Sequence, residues 1–196
     1  MKVLHIIPSA FEYFDDIRAQ AFEILEKENK LGVESDAITL EYGAVGRREK
    51  FEVATVAPSR KYLGQESIEK NSQAWQAYDI INLHCPFFGA AGKILDFLKF
   101  NPDKFFLITY HHDFVSPDFF GYFIKFYNYY YLPKLLNKAK VIVFFSNQRT
   151  ESAVGIGMVK NESKVAVLGL FGENTDIHND SIVQDMVMVY NNIVLK

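Results

Sequence analysis

Cysteine occurs once in the 196 residues, at Cys85. An internal disulfide is therefore excluded, and the usage fits a reducing compartment. Long apolar runs are missing too, and nothing approaches the ~20 residues that a membrane-spanning helix needs. The opening Met1-Lys2-Val3-Leu4-His5-Ile6-Ile7-Pro8 is too short in its apolar run for a secretory leader and reads as a strand ended by proline. Net charge is small, 21 Lys and Arg against 24 Asp and Glu, which gives no basic face for nucleic acid. Neither GxGxxG nor GxxxxGK[ST] occurs, and Gly155-Ile156-Gly157 is an isolated glycine pair, so no phosphate cradle and no cofactor are expected. Together these absences predict a cytoplasmic protein with no nucleic-acid partner and at most peripheral contact with a membrane.

What is present is an apolar share of 49% with 15% aromatics, enough to bury one sizeable core. Strands and helices alternate along the chain. Strands are expected at Val3 to Ile7, Val33 to Leu40, Phe51 to Ala57, Asp79 to Leu83, Phe105 to Tyr110, Val141 to Phe145 and Lys164 to Leu168. Between them, Asp15 to Lys30, Glu66 to Tyr78, Ala90 to Phe100 and Ser146 to Ala153 read as helices. Two acids open the first, where they suit the positive end of the helix dipole. The last helix, capped by Asn179 or Asp180, sets Ile182, Val183, Met186, Val187, Tyr190, Ile193 and Val194 on one face. The pattern predicts an α/β fold: a single Rossmann-like, doubly wound, mostly parallel sheet of about seven strands with helices on both faces. Residues 1–170 form that domain, and residues 171–196 supply a loop and a helix packing back on it.

The chemistry gathers where strands end. Phe105-Phe106-Leu107-Ile108-Thr109-Tyr110 breaks into His111-His112-Asp113, and Asp79 to Leu83 stops at His84. In open α/β sheets ligands bind beyond the carboxyl ends of the strands, so His84, His111, His112 and Asp113 are candidate ligand-binding residues, with Ser116 in the following loop. Adjacent residues on a strand point oppositely, so one of His111 and His112 faces the crevice and the other is structural. The bland alternative for His84 is that it satisfies loop carbonyls. A metal centre would need three or four convergent ligands, a pattern the sequence does not show, and none is expected. Cys85 adjoins His84, but neighbours on an extended chain diverge, and a lone cysteine beside a strand is usually packing.

Phe119 to Tyr131 carries nine aromatics in thirteen residues, and Pro133 should kink or restart the helix that follows. Either the segment packs both faces into the core with tyrosine hydroxyls reaching water, or it presents an apolar patch to a lipid or partner. Core packing with partial exposure is the preferred reading, since only Lys125 and Lys134 flank the segment.

Several stretches resemble one known family. The opening strand Met1 to Pro8, Asp79-Ile80-Ile81-Asn82-Leu83-His84-Cys85-Pro86-Phe87, Thr109-Tyr110-His111-His112-Asp113-Phe114, Lys138-Ala139-Lys140-Val141-Ile142-Val143 running to Ser146, and Lys164-Val165-Ala166-Val167-Leu168-Gly169 are similar, in order, to motifs of the amino-terminal domain of family 4 retaining glycosyltransferases of the two-domain GT-B type. That resemblance implies a sugar-transfer fold in which the first domain binds the acceptor and the second binds the nucleotide sugar. It also implies that His111 lies near the reacting centre, as a tentative catalytic residue.

Two departures shape the expectation. The family's first loop carries a Gly-Gly pair against the donor diphosphate, whereas this chain has Phe14-Asp15-Asp16-Ile17, and carboxylates there repel a diphosphate. Asp15 and Asp16 join the candidate site on that ground. After Gly169 the chain has a short loop and the amphipathic helix in place of a donor-binding domain. The expected function is an acceptor-side glycosyltransferase-like module or subunit without transfer activity of its own. The alternative is an active enzyme completed in trans by a separate nucleotide-sugar-binding chain. A third reading is a plain interaction protein that uses the aromatic segment as its interface. Partners would be a sugar or lipid-linked acceptor, a donor-binding chain, or a second copy. The carboxyl edge of the sheet is expected to be a protein interface or a shallow open site.

Overall fold

A computed structural model describes residues 1–8, 15–40, 62–66, 74–88, 90–113, 120–145, 158–169 and 176–194. Its central strands are near-continuous apolar runs buried on both faces, and the strands in chain order are β1 (Lys2–Ile7), β2 (Glu34–Leu40), β3 (Tyr62–Glu66), β4 (Ile80–Cys85), β5 (Phe105–Tyr110), β6 (Val141–Phe144) and β7 (Val165–Val167). All seven pair in parallel, in the order β3-β2-β1-β4-β5-β6-β7. This is the Rossmann order, in which winding reverses direction between β1 and β4.

The two faces are sorted by parity. Val3, Ile80, Leu107, Val143 and Phe145 pack against Ile24 of α1 (Asp15–Lys30) and against Ile182, Val183, Met186 and Tyr190 of the carboxyl-terminal helix. On the other face Leu4, Ile6, Ile81, Leu83, Phe106, Ile108, Ile142 and Phe144 meet α2 (Ala91–Phe100), α3 (Phe120–Tyr130) and α4 (Leu132–Lys138). Pro133 sits in the first turn of α4. There its missing N–H leaves no bond unmade, so it starts a new helix at the expected break.

The final helix, α5 (Asp176–Val194), begins earlier than its expected cap. Asn179 lies inside it, buried, and its side-chain amide donates to Glu23 of α1 at 2.9 Å. Lys27 of α1 also pairs with Asp180. Asn179 and Asp180 therefore fasten α5 to α1, a tertiary role that local cap chemistry does not anticipate.

Two other expectations need revision, and two fall on residues outside those described. β3 lies at Tyr62–Glu66, while the strand expected at residues 51–57 falls outside the described residues, as does the helix expected at 146–153. The helix expected from Glu66 to Tyr78 is reduced, among the described residues, to a short 3₁₀ turn at Ala74–Ala77, and Glu66 ends a strand. Trp75 and Tyr78 pin that turn in the core, and the Tyr78 hydroxyl donates to Asp36 of β2 at 2.9 Å. The aromatic helix is not wholly core. Ile124 and Tyr127 are buried, but Tyr122, Phe123, Phe126, Tyr129 and Tyr130 are exposed, with Tyr129 at 85%.

Docking of α5 on the sheet is checked by two substitutions read by urea unfolding. Met186→Ala removes a fully buried side chain and is expected to cost about 2–5 kcal/mol. Met188→Ala, on the exposed face, should stay within about 0.5 kcal/mol of wild type. Equal effects would place α5 differently.

Candidate functional site

The strand exits singled out by sequence meet across β1, β4 and β5, but on a buried face. His5 is in register with Asn82, and His84 is in register with Thr109. Each successive histidine therefore stands two residues beyond its neighbour's partner, on the same face of the sheet. The result is a diagonal of imidazoles. His5 Nδ1 lies 2.9 Å from His84 Nε2, and His84 Nδ1 lies 2.8 Å from His111 Nε2. The rings overlap at centroid separations of 5.2 and 5.1 Å.

Helix α1 closes both ends of this diagonal. Glu28 Oε2 stands 2.9 Å from His5 Nε2, and Gln20 Oε1 stands 2.8 Å from His111 Nδ1. Residues 20, 24 and 28 recur at helical spacing, so the face of α1 that carries Ile24 into the core also carries these two polar groups. The Glu28 carboxylate accepts from Ser35 Oγ at 2.6 Å and from the Tyr190 hydroxyl at 2.9 Å. Tyr190 in turn accepts from Asn82 Nδ2 at 3.1 Å, and Thr109 Oγ1 donates to Asn82 Oδ1 at 2.9 Å. His5, Glu28, Ser35, Asn82, His84, Thr109, His111 and Tyr190 all have 0% exposure.

This burial removes His84 and His111 from the exposed edge where they were expected. His84 and His111 offer no face to solvent, because α1 lies over the sheet surface that carries them. The physical sign of this is plain at His84. Burial first, then the neighbouring His111 and His5, push its pKa well below the ordinary histidine range, so it is a neutral ring. Tyr190 is pushed up, chiefly by burial and then by the Glu28 carboxylate, and keeps its proton to donate.

The remaining candidates sit nearer the surface. His112 points away from His111, and its Nε2 is 2.9 Å from the exposed Asp16 carboxylate. This contact ties the start of α1 to the exit of β5. Asp113 accepts from the Tyr110 hydroxyl, whose pKa is raised first by burial and then by that carboxylate. Asp15 opens α1; its side chain, Ser116 and Phe14 lie outside the described residues. Cys85 faces the opposite core near Tyr127, and burial pushes its thiol up to about 12. It is a packing residue. Among the described residues no group of three or more His, Cys, Asp or Glu converges as a metal set would, and no helix is long and apolar enough to cross a membrane.

Sequence reasoning missed His5, Glu28, Gln20 and Tyr190. A signal for part of this existed: His5 in β1, Asn82 and His84 in β4, and Thr109 and His111 in β5 are polar intrusions of one parity into apolar strands. Glu28 and Gln20 had no such signal, since a polar residue on a helix is ordinarily solvent-facing, and Tyr190 reads from sequence as an apolar-face residue of the last helix with no sign of its hydroxyl's partners.

No family model and no curated protein matches the sequence. Solved structures do. An α-glucosyltransferase in complex with UDP and a 13-mer DNA containing an HMU base aligns at 13% identity and a TM-score of 0.56, over 90% of this chain and 43% of that one. The S. aureus MnaA–UDP structure aligns at 11% identity and a TM-score of 0.51, over 85% of this chain and 43% of that one. The likeness is one of fold. The chain spans less than half the length of either neighbour.

Two measurements check this geometry. The Cys85 thiol should resist a disulfide reagent at about pH 8 in the folded protein and react fully once denatured; rapid reaction of the native chain would contradict its burial. Stability should also fall with acid. The unfolded state binds a proton at His84 below about pH 6.5, while the folded state does not, so unfolding takes up protons and lowering pH from about 7 to about 5 destabilises the fold. A flat urea midpoint across that range would refute a buried neutral His84.

Proposed function

We propose that this chain is a glycosyltransferase-like domain that supplies the acceptor-side half of a sugar-transfer site and does not transfer sugar by itself. The carrying observation is the fold. A sheet in Rossmann order matches 85–90% of this chain to less than half of two structures solved with UDP. The five family-like motifs fall on β1, β4, β5, β6 and β7, which supports the same reading.

In this reading the ligand edge lies beyond the carboxyl ends of β1, β4 and β5. Asp16 and His112 stand there, paired to each other. An acid at the start of α1 opposes a diphosphate, whose binding at a helix start relies on unopposed backbone N–H groups and a favourable dipole. It suits a sugar hydroxyl, which donates to a carboxylate. His111 and His84 stand behind this surface as its support and do not contact the ligand directly.

Calorimetry with UDP and UDP-glucose tests the assignment. The chain should bind neither more tightly than about 1 mM, and a glycan panel should show sugar binding that weakens on Asp16→Asn. Micromolar affinity for the nucleotide sugar, or turnover of it by this chain alone, would overturn the reading. Turnover appearing only on addition of a copurifying nucleotide-binding chain would instead favour an enzyme completed in trans.

A further inference from the structure

The contacts of the buried diagonal allow a proton count. Four contacts run from the Gln20 amide oxygen through His111, His84 and His5 to the Glu28 carboxyl group. Each contact needs one hydrogen. As the side chains stand, Gln20 turns its amide oxygen toward His111, and Glu28 also accepts from the Ser35 and Tyr190 hydroxyls. With Gln20 so turned and Glu28 ionised, the four hydrogens come from the three rings, one more than three neutral imidazoles carry.

We propose that His5, His84 and His111 share one excess proton, with Glu28 as its counter-ion, so that Glu28 is a positioning residue setting the charge at His111 from the far end of the diagonal. A neutral pair overall is what a dry site tolerates, since an isolated buried charge is expensive and a compensated one much less so. Rest lies at His5, beside the carboxylate. There His5 donates from Nε2 to Glu28 and from Nδ1 to His84, His84 donates from Nδ1 to His111, and His111 donates from Nδ1 to Gln20.

Moving the charge to His111 needs no heavy-atom displacement. One proton passes from His5 Nδ1 to His84 Nε2, and a second passes from His84 Nδ1 to His111 Nε2. Bonds broken equal bonds formed, and every contact still holds one hydrogen. His84 is the transit ring, disfavoured as a resting place for charge by its burial between two other imidazoles. Among the described residues, the polar groups hydrogen-bonded to the diagonal or to its partners include Gln20 and Glu28 from α1, Ser35 from β2, Asn82 from β4, Thr109 from β5 and Tyr190 from α5.

The bearing of this device on a ligand rests on the proposed acceptor site, because His111 adjoins His112 at that edge; the proton count does not rest on it. The count is read in the ligand-free full chain by long-range ¹H–¹⁵N correlation spectra of histidine-labelled protein near neutral pH. Four ring protons over the six nitrogens of His5, His84 and His111 are expected. Glu28→Gln should reduce that count to three, because the new amide can turn and donate to His5, while Glu28→Asp should keep four. Three protons in the wild type, or an unchanged count in a folded Glu28→Gln, would overturn the proposal. Should Glu28→Gln fail to fold, the wild-type count alone decides. Failure of the sugar-binding assays would leave this count untouched, so the two readings fail separately.

Discussion

A carboxyl group shut away from solvent governs the arrangement of this domain. Glu28 is wholly buried between α1, β1, β2 and α5, and a bare carboxylate there would cost several kcal/mol. Each element around it contributes one compensating group: Ser35 from β2, Tyr190 from α5 and His5 from β1. The position of α5 follows from this as much as from its apolar face. Tyr190 must reach both Glu28 and Asn82, which fixes the helix axially as well as rotationally. Asn179 and Asp180 hold its other end to α1.

The same constraint propagates through the sheet. His5 satisfies Glu28 but then presents a second nitrogen to a dry interior, and His84 satisfies that one. His84 leaves a further nitrogen, which His111 meets, and the sequence of obligations ends at Gln20, half-buried on α1. The registers of β1 with β4 and of β4 with β5 are what make the diagonal contacts possible. A slip of one residue would turn every one of these side chains into the opposite, apolar layer. The polar diagonal thus guards register in a sheet whose strands are otherwise interchangeable runs of Ile, Leu and Val.

Much of the fold was readable because parity and period are local properties. β1, β4, β5, β6, α1 and α2 announce themselves by apolar spacing, and Pro133 marks the restart of α4. The expected helix ending at Tyr78 went wrong because Trp75 and Tyr78, read as a helical stripe, instead anchor a short turn through tertiary contacts. The cap assigned to Asn179 went wrong for a related reason: its partner, Glu23, is distant in sequence. For the site, His84 and His111 were visible as breaks at strand ends, and their shared sheet region was inferred. Their burial was not, because it depends on which face α1 covers. Aromatic residues on α3 failed in the opposite sense. Their density suggests core, yet among the described side chains of α3 only Ile124 and Tyr127 are buried, and the Lys134 ammonium sits 3.2 Å from the centre of the exposed Tyr130 ring.

Stability by itself is a poor explanation for the histidine diagonal. Replacing a buried ionic cluster by well-packed apolar residues is often neutral or stabilising by about 1–4 kcal/mol, while removing one partner costs about 3–5 kcal/mol. A fold needing only a core at this place would be served as well by Leu or Ile on β1, β4 and β5. The diagonal instead crosses the sheet at the point where winding reverses, between β1 and β4, and ends beside the ligand edge of such folds. A proton moved along the diagonal from His5 to His111 would carry charge away from Glu28 through a buried interior, where screening is weak. Register specificity and electrostatic reach are both served by this geometry. The second adds to polar satisfaction a reason for the series to run on past His84 to His111, next to the pair of Asp16 and His112.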